Sequence, residues 1–458
     1  MTKFHLISLG CDKNLVDSEV MLGLLSQHGF DFTQDESEAE LIIVNTCSFI
    51  HDAKQESIDT ILRINEYRSD KLKFIIAAGC LSQRYQDELL KELPEVDAII
   101  GTADYDKIVS VASALVGNKR EQCPYSKISP QGQISCITDL NALLDIACSR
   151  IITTPGHYEY LKIAEGCSKR CTYCAIPSFR GNYRSYPVES LCREAAELAK
   201  RGVKELIIVA QETTVYGMDI YGRKALPELL CKLSEIEGIE WIRLLYAYPE
   251  EITAELIEVM STNPKILHYI DMPIQHSADN ILKRMGRRAD NARLRKVIAD
   301  LRDRMPDVCI RTTLITGFPG ETLDDHAELY DFVNEMEFDR LGVFPYSQEE
   351  DTPAAAMTGQ IDEDIKAMRY AELMELQQAI VFEKNESLVG SEMDAIIEGY
   401  LPEREVYVAR TYRDAPDVDG FLFLSTDISH MTGDIVRCLV TGAYEYDLNG
   451  DEIYESAQ

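Results

Sequence analysis

The fold is decided by Glu165-Gly166-Cys167-Ser168-Lys169-Arg170-Cys171-Thr172-Tyr173-Cys174. This stretch contains three cysteines and comes directly after an apolar run. Their C-x3-C-x2-C spacing lets one loop wrap an iron–sulfur cubane with three thiolates. A fourth thiolate would complete the ligand set. No fourth Cys and no His lies nearby in the sequence, so one iron of the cluster would stay open to a small molecule. The alternative is a zinc site, which normally uses four protein ligands.

The residues around this loop predict an open partial barrel. Apolar runs alternate with helical patterns from Tyr158 onward, which indicates parallel strands joined by helices. We predict strands at 160–164, 206–210, 242–247, 268–272, 311–315 and 341–345. We predict helices at 188–201, 225–237, 254–261, 278–305 in two pieces, 323–337 and 361–387. The active face of such a barrel lies at the carboxyl ends of its strands.

Three more cysteines follow strands near the start of the chain. We predict strands at 3–9, 41–44, 74–78 and 98–100, alternating with helices at 14–28, 53–67, 83–93 and 105–115. Cys11, Cys47 and Cys80 come directly after the first three strands. Because the carboxyl ends of parallel strands meet at one edge of the sheet, we expect the three thiols to lie together. The alternative is three unrelated buried thiols.

The remaining segments predict a linker and a small β-barrel. The pattern weakens over 117–153, which contains Pro124 and Pro130, and we interpret Cys123, Cys136 and Cys148 there as incidental. Short apolar runs at 393–397, 405–408, 421–424 and 434–439, separated by turn residues, indicate a barrel. The predicted domains are 1–118, a linker at 119–153, 154–380 and 381–447.

Composition restricts the protein class. The chain has 458 residues and a net charge of −32, from 78 acidic and 46 basic side chains. A surface of this kind favours basic partners over phosphate backbones. Its longest apolar runs are too short to span a membrane, and its first residues resemble a strand more than a signal peptide. We therefore expect a cytoplasmic protein whose thirteen cysteines are reduced and whose clustered cysteines bind metal.

With an aromatic residue, Tyr173, before its last cysteine, the C-x3-C-x2-C loop resembles the radical S-adenosylmethionine (SAM) superfamily signature. The strand-end cysteines and the tail extend the resemblance over nearly the whole chain, to the radical SAM methylthiotransferase family. It implies an α/β fold with an N-terminal parallel sheet domain, a central partial (β/α)6 barrel and a C-terminal antiparallel TRAM barrel. It also implies SAM and two [4Fe–4S] clusters, one bound by Cys167, Cys171 and Cys174 and an auxiliary one by Cys11, Cys47 and Cys80.

The resemblance further implies how SAM is bound. Tyr173, Gln211, Glu212, Thr213, Arg243, Gln275, Gly317 and Gly320 match positions that contact SAM in such barrels. Each has an ordinary alternative. The segment after the second strand is also a typical polar strand end, the glycine turn is common loop chemistry, and Arg243 is equally an ordinary basic residue. His276 either binds substrate or satisfies its own loop.

Within the family, the chain resembles the branch that β-methylthiolates an aspartate of a small-subunit ribosomal protein. That branch cleaves one SAM reductively, removes hydrogen from the β-carbon, and transfers a sulfur that a second SAM has methylated. The alternative branch modifies an adenosine of transfer RNA. From Phe382 to Gln458 there are 17 acidic and 5 basic residues, a charge of −12, whereas an RNA-binding barrel needs a basic face. We therefore expect a basic ribosomal protein as substrate, with no membrane and no nucleic acid outside the ribosome. The resemblance also implies an electron donor such as flavodoxin or ferredoxin. A non-enzymatic iron–sulfur carrier is the other alternative.

Overall fold

A computed structural model describes residues 1–69, 71–124, 126–142 and 150–454 of the chain. These residues form two mainly parallel sheets followed by a closed barrel, so the predicted α/β fold class is confirmed. Residues 143–149 of the predicted linker, with Cys148, lie outside the described residues. No helix in the described part of the chain is long and apolar enough to cross a membrane.

The first sheet has seven strands in the order β2-β1-β3-β4-β5-β7-β6. Its inner strand β3 is buried along its whole length, as expected of a parallel strand covered on both faces. The strands are β1 Lys3–Ser8, β2 Asp31–Phe32, β3 Leu41–Thr46, β4 Phe74–Gly79, β5 Ala98–Ile100, β6 Lys127–Ile128 and β7 Ile134–Cys136. The helices are α1 Asp12–Gln27, α2 His51–Asn65, α3 Cys80–Glu92 and α4 Ile108–Val116.

Part of the predicted linker belongs to this sheet. Strand β7 pairs in parallel with β5, and β6 pairs antiparallel with β7. Cys136 is fully buried in the same apolar cluster as Cys123. Strands of two and three residues, separated by Pro130 and Gly132, leave too little periodicity to detect from sequence. The predicted domain boundaries themselves remain predictions.

The second sheet has six parallel strands in the order β8-β11-β12-β13-β14-β15 and does not close. Its strands are β8 Tyr158–Lys162, β11 Glu205–Val209, β12 Trp241–Leu244, β13 Ile266–Asp271, β14 Cys309–Thr316 and β15 Arg340–Pro345. Beside it, β9 Ala164–Glu165 and β10 Arg184–Ser185 form a separate antiparallel pair. The helices are α5 Ile176–Arg180, α6 Val188–Lys200, α7 Leu226–Ser234, α8 Ala254–Thr262, α9 Asp279–Arg284, α10 Asn291–Arg304, α11 Leu323–Met336 and α12 Glu363–Ser387.

Local sequence explains where these helices begin. Thr322 caps α11 by accepting a hydrogen bond from the Asp325 amide, while the Asp325 carboxylate accepts one from the Thr322 amide. This reciprocal capping box satisfies two amides that a helix start otherwise leaves unpaired. Asp290 caps α10 in a similar way through the Arg293 amide. The predicted long helix at 278–305 is therefore two helices, α9 and α10, as expected.

The C-terminal residues form a closed five-stranded barrel in the order β16-β17-β18-β20-β19. Its strands are β16 Glu392–Leu401, β17 Val406–Thr411, β18 Leu422–Ser425, β19 Ile435–Tyr444 and β20 Asp447–Glu452. The prediction of a purely antiparallel barrel needs correction, because β18 and β20 pair in parallel. Strand β20 is not predicted from sequence because its residues, except the buried Leu448, are polar or small and rarely form strands.

All three units meet inside the open barrel. One apolar cluster joins Val16 of α1, Tyr160 of β8 and Tyr269 of β13 to Ile396 of β16 and to Ala415. The concave side of the six-stranded sheet is thus covered by the N-terminal domain and by the C-terminal barrel. This arrangement brings two groups of cysteines into one region of the molecule. We call Cys167, Cys171 and Cys174 the first cysteine set, and Cys11, Cys47 and Cys80 the second cysteine set.

Candidate functional site

The first cysteine set lies on the loop between β9 and α5. Gly166 starts the loop with φ +71°, and a Cβ there would lie 2.3 Å from the Asn182 carbonyl oxygen, so the close backbone approach requires glycine. The Cys167 amide donates to the Gly181 carbonyl at 3.1 Å. The Cys167 and Cys171 side chains are buried.

The barrel fixes the rest of this loop. The Thr172 amide donates to the Met285 carbonyl at 2.9 Å, and the Thr172 hydroxyl donates to the Arg284 carbonyl at 2.8 Å. In turn, the Ala354 amide donates to the Thr172 carbonyl at 2.9 Å. Cys171 and Cys174 therefore lie on backbone that is anchored on both sides.

The second set is assembled from three strand ends, as the sequence predicts. Cys11 follows β1, Cys47 follows β3, and Cys80 begins α3 directly after β4. The chains approach closely, because a Cβ on Gly10, which has φ +87°, would lie 2.9 Å from the Cys47 Sγ atom. Cys80 is within electrostatic range of both Cys47 and Cys11.

Both thiol sets fit an iron–sulfur cluster. Burial raises the pKa of Cys167 to about 11 and the pKa of Cys80 to about 12, and metal binding is what converts such buried thiols to thiolates. In the described part of the chain, no three Cys, His, Asp or Glu side chains are grouped to share a single metal ion. Three thiols in each set match a cubane with one iron left open.

The segment after β11 supplies polar groups beside the first set. The Glu212 Oε2 atom lies 3.3 Å from the Lys169 ammonium, and Lys169 belongs to the cysteine loop. Burial raises the pKa of Glu212 to about 7, although Lys169 and the Thr214 hydroxyl oppose the shift. The Gln211 Oε1 atom is buried without a hydrogen-bond partner. Glu212 and Gln211 therefore offer oxygen acceptors to a cationic ligand.

Two other residues predicted to contact SAM, Thr213 and Gln275, also form hydrogen bonds that hold the backbone of the barrel. The Thr213 hydroxyl donates to the Leu245 carbonyl at 2.8 Å, which links the Gln211–Thr214 segment to the end of β12. Gln275 has φ +71° and extends the sheet through backbone hydrogen bonds with Thr313 and Ile315. Both residues hold the backbone at the carboxyl edge of the barrel.

The glycine turn lies beside the cysteine loop. The Tyr173 ring packs edge-on against Phe318 at 6.5 Å between centroids. A Cβ on Gly317 would lie 2.2 Å from the Lys366 side chain, and a Cβ on Gly320 would meet the Arg284 guanidinium at 2.8 Å. The turn is thus packed against α9 and α12 and borders the same site as Tyr173.

Arg243, predicted to contact SAM, is bonded elsewhere in the structure. Its Nε atom donates to Glu205 Oε1 at 2.6 Å, and its Nη1 atom donates to the Tyr412 carbonyl at 2.7 Å. Glu205 is the first residue of β11, and Arg243 lies one residue before the end of β12. Arg410 also contacts Glu205, at 2.7 Å. Arg243 instead attaches the C-terminal barrel to the central sheet.

His276 satisfies its own loop. Its ring is fully buried, and the Nδ1 atom accepts a hydrogen bond from the Ala278 amide at 3.0 Å. Burial lowers the pKa of His276 to about 4. The loop therefore satisfies Nδ1, whereas Nε2 is buried without a hydrogen-bond partner, and substrate binding by His276 stays a prediction.

A cavity of about 360 Å³ lies where the three units meet. Cys11 and Asp12 line it from the N-terminal domain, Tyr246 and Arg311 from the central barrel, and Asp417 from the C-terminal barrel. This volume is in the usual range for a ligand site. One wall therefore carries a cysteine of the second set.

Tyr246, another lining residue, connects the cavity to the first set. The Thr213 amide donates to the Tyr246 carbonyl at 3.1 Å, which places the Gln211–Thr214 segment directly behind Tyr246. The cavity thus adjoins the second cysteine set at Cys11 and is linked to the first set through Tyr246 and this segment. Sequence analysis missed its charged residues Asp12, Arg311 and Asp417, although the run Asp414 to Asp419 carries three acids between turn residues.

The charges in the cavity are mostly acidic and partly compensated. The Arg311 Nη1 atom contacts Asp271 at 2.9 Å, and its Nε atom lies 3.6 Å from Asp419. The Lys13 ammonium forms an ion pair with the Asp12 carboxylate at 2.9 Å. The Tyr158 hydroxyl donates a hydrogen bond to the Asp417 carboxylate at 3.2 Å. A guest with hydrogen-bond donors or positive charge is therefore favoured.

Comparison with known proteins identifies the same three units. Family models match residues 3–101 (Uncharacterized protein family UPF0004), 161–333 (Radical SAM superfamily) and 389–453 (TRAM domain). The chain is 55% identical over 98% of its length to the ribosomal protein uS12 methylthiotransferase RimO of Lachnoclostridium phytofermentans, of which it covers 99%. It is 48% identical to the protein of the same name from Acetivibrio thermocellus, over 100% of this chain and 99% of that one.

Solved structures share the fold at much lower identity. The radical SAM methyltransferase TsrM from Kitasatospora setae, with cobalamin and a [4Fe–4S] cluster bound, aligns with a TM-score of 0.56 at 13% identity, covering 77% of each chain. The cobalamin-dependent SAM radical enzyme OxsB, with aqua-cobalamin and SAM bound, aligns with a TM-score of 0.54 at 13% identity, over 84% of this chain and 56% of that one.

Proposed function

The chain belongs to the family of ribosomal protein uS12 methylthiotransferases, the RimO family, and on that premise we propose that it methylthiolates the β-carbon of an aspartate in uS12, using two molecules of SAM. It is a radical SAM enzyme. The observation that carries the proposal is the pair of three-cysteine sets joined by α5, with a cavity at the junction of the three units that Cys11 of one set lines. A carrier of iron–sulfur clusters needs no such cavity beside a cluster site.

When bound, SAM and the two [4Fe–4S] clusters supply the one-electron chemistry that breaks an unactivated C–H bond and the sulfur that replaces the hydrogen, which no protein acid or base can supply. Cys167, Cys171 and Cys174 would hold one cluster. Cys11, Cys47 and Cys80 would hold the other. The work of the remaining residues is to bind, orient and exclude water.

Glu212 and Gln211 would bind the SAM ammonium group. The unpartnered Gln211 Oε1 atom and the buried Glu212 carboxylate supply acceptors, and a charge-assisted hydrogen bond is stronger than a neutral one. Lys169 contacts both Glu212 and Glu251, so it restrains the Glu212 carboxylate. The turn from Gly317 to Gly320 would pack against the adenosine.

Arg311 would orient the target aspartate. Its guanidinium lines the cavity and is about a quarter exposed, so it can donate hydrogen bonds to a carboxylate of the substrate. Asp12 and Asp417 would bind donors of the flanking residues. Fixing the carboxylate fixes the β-carbon, and orienting a reacting carbon is a large part of enzymatic rate enhancement.

The charge of the C-terminal barrel supports a basic protein as substrate. Arg410 and Arg413 are buried against Glu205 and Asp339 of the central barrel, and Lys384 also contacts Asp339. These cations are therefore neutralised at the interface, and the excess of acidic groups is left for a partner. Complementary charge of this kind speeds association with a basic protein.

We also propose that flavodoxin or ferredoxin supplies the electrons and that the reaction takes place in the cytoplasm, where uS12 is made and assembled. The test is anaerobic reconstitution with iron and sulfide, followed by SAM, reductant and either uS12 or transfer RNA. We expect a methylthio mass increase on uS12 alone. Modification of transfer RNA with unmodified uS12 would refute the proposed substrate.

A further inference from the structure

The two cysteine sets share a wall made by the segment that follows Cys174. Ala175 and Phe179 form a small buried apolar cluster with Cys80 of the second set. The Thr102 hydroxyl of the N-terminal domain donates to the Phe179 carbonyl at 2.6 Å. Helix α5 therefore touches the first set at its start and the second set along its length.

Asn14 holds the second set together. Its Nδ2 atom donates to the Leu9 carbonyl at 2.8 Å and to the Thr46 carbonyl at 3.0 Å. Leu9 lies two residues before Cys11, and Thr46 lies directly before Cys47. The Asn14 Oδ1 atom is 3.8 Å from the Cys80 Sγ atom. One buried amide thus contacts the loops of two cysteines and the side chain of the third.

Arg180, the last residue of α5, connects this amide to the first set. Its Nη2 atom donates to the Asn14 Oδ1 atom, and its Nη1 atom contacts Asp17 at 2.8 Å and Glu165 at 3.5 Å. Lys162 contacts the same two carboxylates. All of these side chains are at least nine-tenths buried, so the interactions among them are weakly screened by solvent.

A guanidinium beside the second set acts on any charge placed there. Reduction of a cluster by one electron adds a negative charge, and a nearby positive charge in a protein interior stabilises that state. Asp17 and Glu165 partly cancel the effect, which makes the balance sensitive to each member of the group.

We propose that Arg180 is a positioning residue that holds the second cysteine set at a fixed place relative to the first and raises the reduction potential of the auxiliary cluster. The inference rests on the proposed binding of a cluster by Cys11, Cys47 and Cys80. It assigns to Arg180, Asn14 and Asp17 a duty that the transfer reaction itself does not require of them.

The test is an electrochemical redox titration that is monitored by electron paramagnetic resonance. In this titration each auxiliary cluster takes one electron from a soluble titrant. Arg180→Gln should make reduction at least tenfold less favourable, a shift of 59 mV for one electron. Arg180→Lys keeps the charge and should restore most of the potential. Arg340→Gln is the matched control, because it removes a similarly buried arginine that pairs with Asp414 of the C-terminal barrel instead of with the Asn14–Asp17 group.

A second variant makes the test independent of how Arg180→Gln folds. Asp17→Asn leaves more of the guanidinium charge uncompensated and should raise the auxiliary potential. An unchanged potential in Asp17→Asn, or equal potentials in Arg180→Gln and Arg340→Gln, would overturn the inference. Wild-type enzyme that leaves uS12 unmodified while these shifts occur would refute the proposed function and leave the inference standing.

Discussion

Replacing either Gly10 or Gly166 with alanine should remove one cluster and leave the other. Gly166 begins the loop of the first set, and Gly10 lies directly before Cys11 of the second set. Both have a positive φ, +71° and +87° respectively. An added Cβ therefore meets two separate obstacles, backbone strain and steric contact, which can be estimated independently.

The strain alone is tolerable. A residue with a Cβ in the left-handed region loses about 1–2 kcal/mol, against a total stability of about 5–15 kcal/mol for a typical protein. The contacts are the larger effect at Gly166, where the Cβ would lie 2.3, 2.5 and 2.8 Å from three backbone carbonyl oxygens. Side-chain Cβ atoms essentially never come closer than 3.0 Å to such atoms. Metal–ligand distances tolerate only about 0.2 Å of error, so the loop cannot shift this far and keep its geometry.

At Gly10, the Cβ would lie 2.8 Å from the Cys47 Cβ atom and 2.9 Å from its Sγ atom. The displaced group is then a cluster ligand itself. Gly202→Ala is the matched control, since Gly202 has φ +100° but nothing within 4 Å of the added Cβ. It carries the strain without the contact.

The assay is iron and sulfide content after anaerobic reconstitution, with the melting temperature measured on the same samples. We expect Gly10→Ala and Gly166→Ala each to retain about half of the wild-type iron while staying folded, and Gly202→Ala to retain all of it. Full iron content in Gly10→Ala or Gly166→Ala would refute the steric reasoning. So would an equal loss of iron in Gly202→Ala.

Three further predictions concern chemistry, pH and stability. Cys11→Ala should abolish methylthio transfer while SAM cleavage continues; equal loss of both, measured by product analysis, would argue against separate roles. SAM affinity should fall up to tenfold per pH unit below about 7 as the Glu212 carboxylate is protonated, and Glu212→Gln should bind weakly at every pH. Glu205→Gln leaves the buried Arg243 without a carboxylate and Arg410 with Glu398 alone, so denaturant unfolding should show a loss of about 3–5 kcal/mol; a loss below 1 kcal/mol would contradict the pairing.

The acid stability of the wild type follows from the same glutamate. Burial opposes ionisation of Glu205, but Arg410 and Arg243 outweigh it and hold the pKa at about 2, below its ordinary 4.5. The folded state therefore binds this proton less readily than the unfolded chain. The stabilisation is complete above about pH 4.5 and is lost as the pH falls toward 2.

Local spacing made the cysteine sites predictable from sequence. Cys167, Cys171 and Cys174 lie on one loop, so their proximity is set by chain connectivity. Cys11, Cys47 and Cys80 are far apart in sequence, but each follows a parallel strand, and parallel strands end at a common edge. The α/β fold class could be predicted for the same reason.

Residues whose role depends on packing between domains could not be predicted. Arg243 lies on a strand at a position that reads equally as exposed or inward-facing, and only the C-terminal barrel decides what it contacts. Asp417 reaches the cavity because Ala415 packs into the barrel interior, a contact between distant parts of the chain. Strand β20 lacks the apolar pattern of a strand. Closure of the barrel holds it in place more than its own composition does, so it could not be predicted from sequence.

The most direct test of the account uses uS12 with deuterium on the β-carbon of its aspartates. We expect reaction with SAM and reductant to yield a methylthio group on one aspartate β-carbon of uS12, with deuterium transferred to the deoxyadenosine product. Methylthio transfer to another residue, or deoxyadenosine free of deuterium alongside modified uS12, would contradict it.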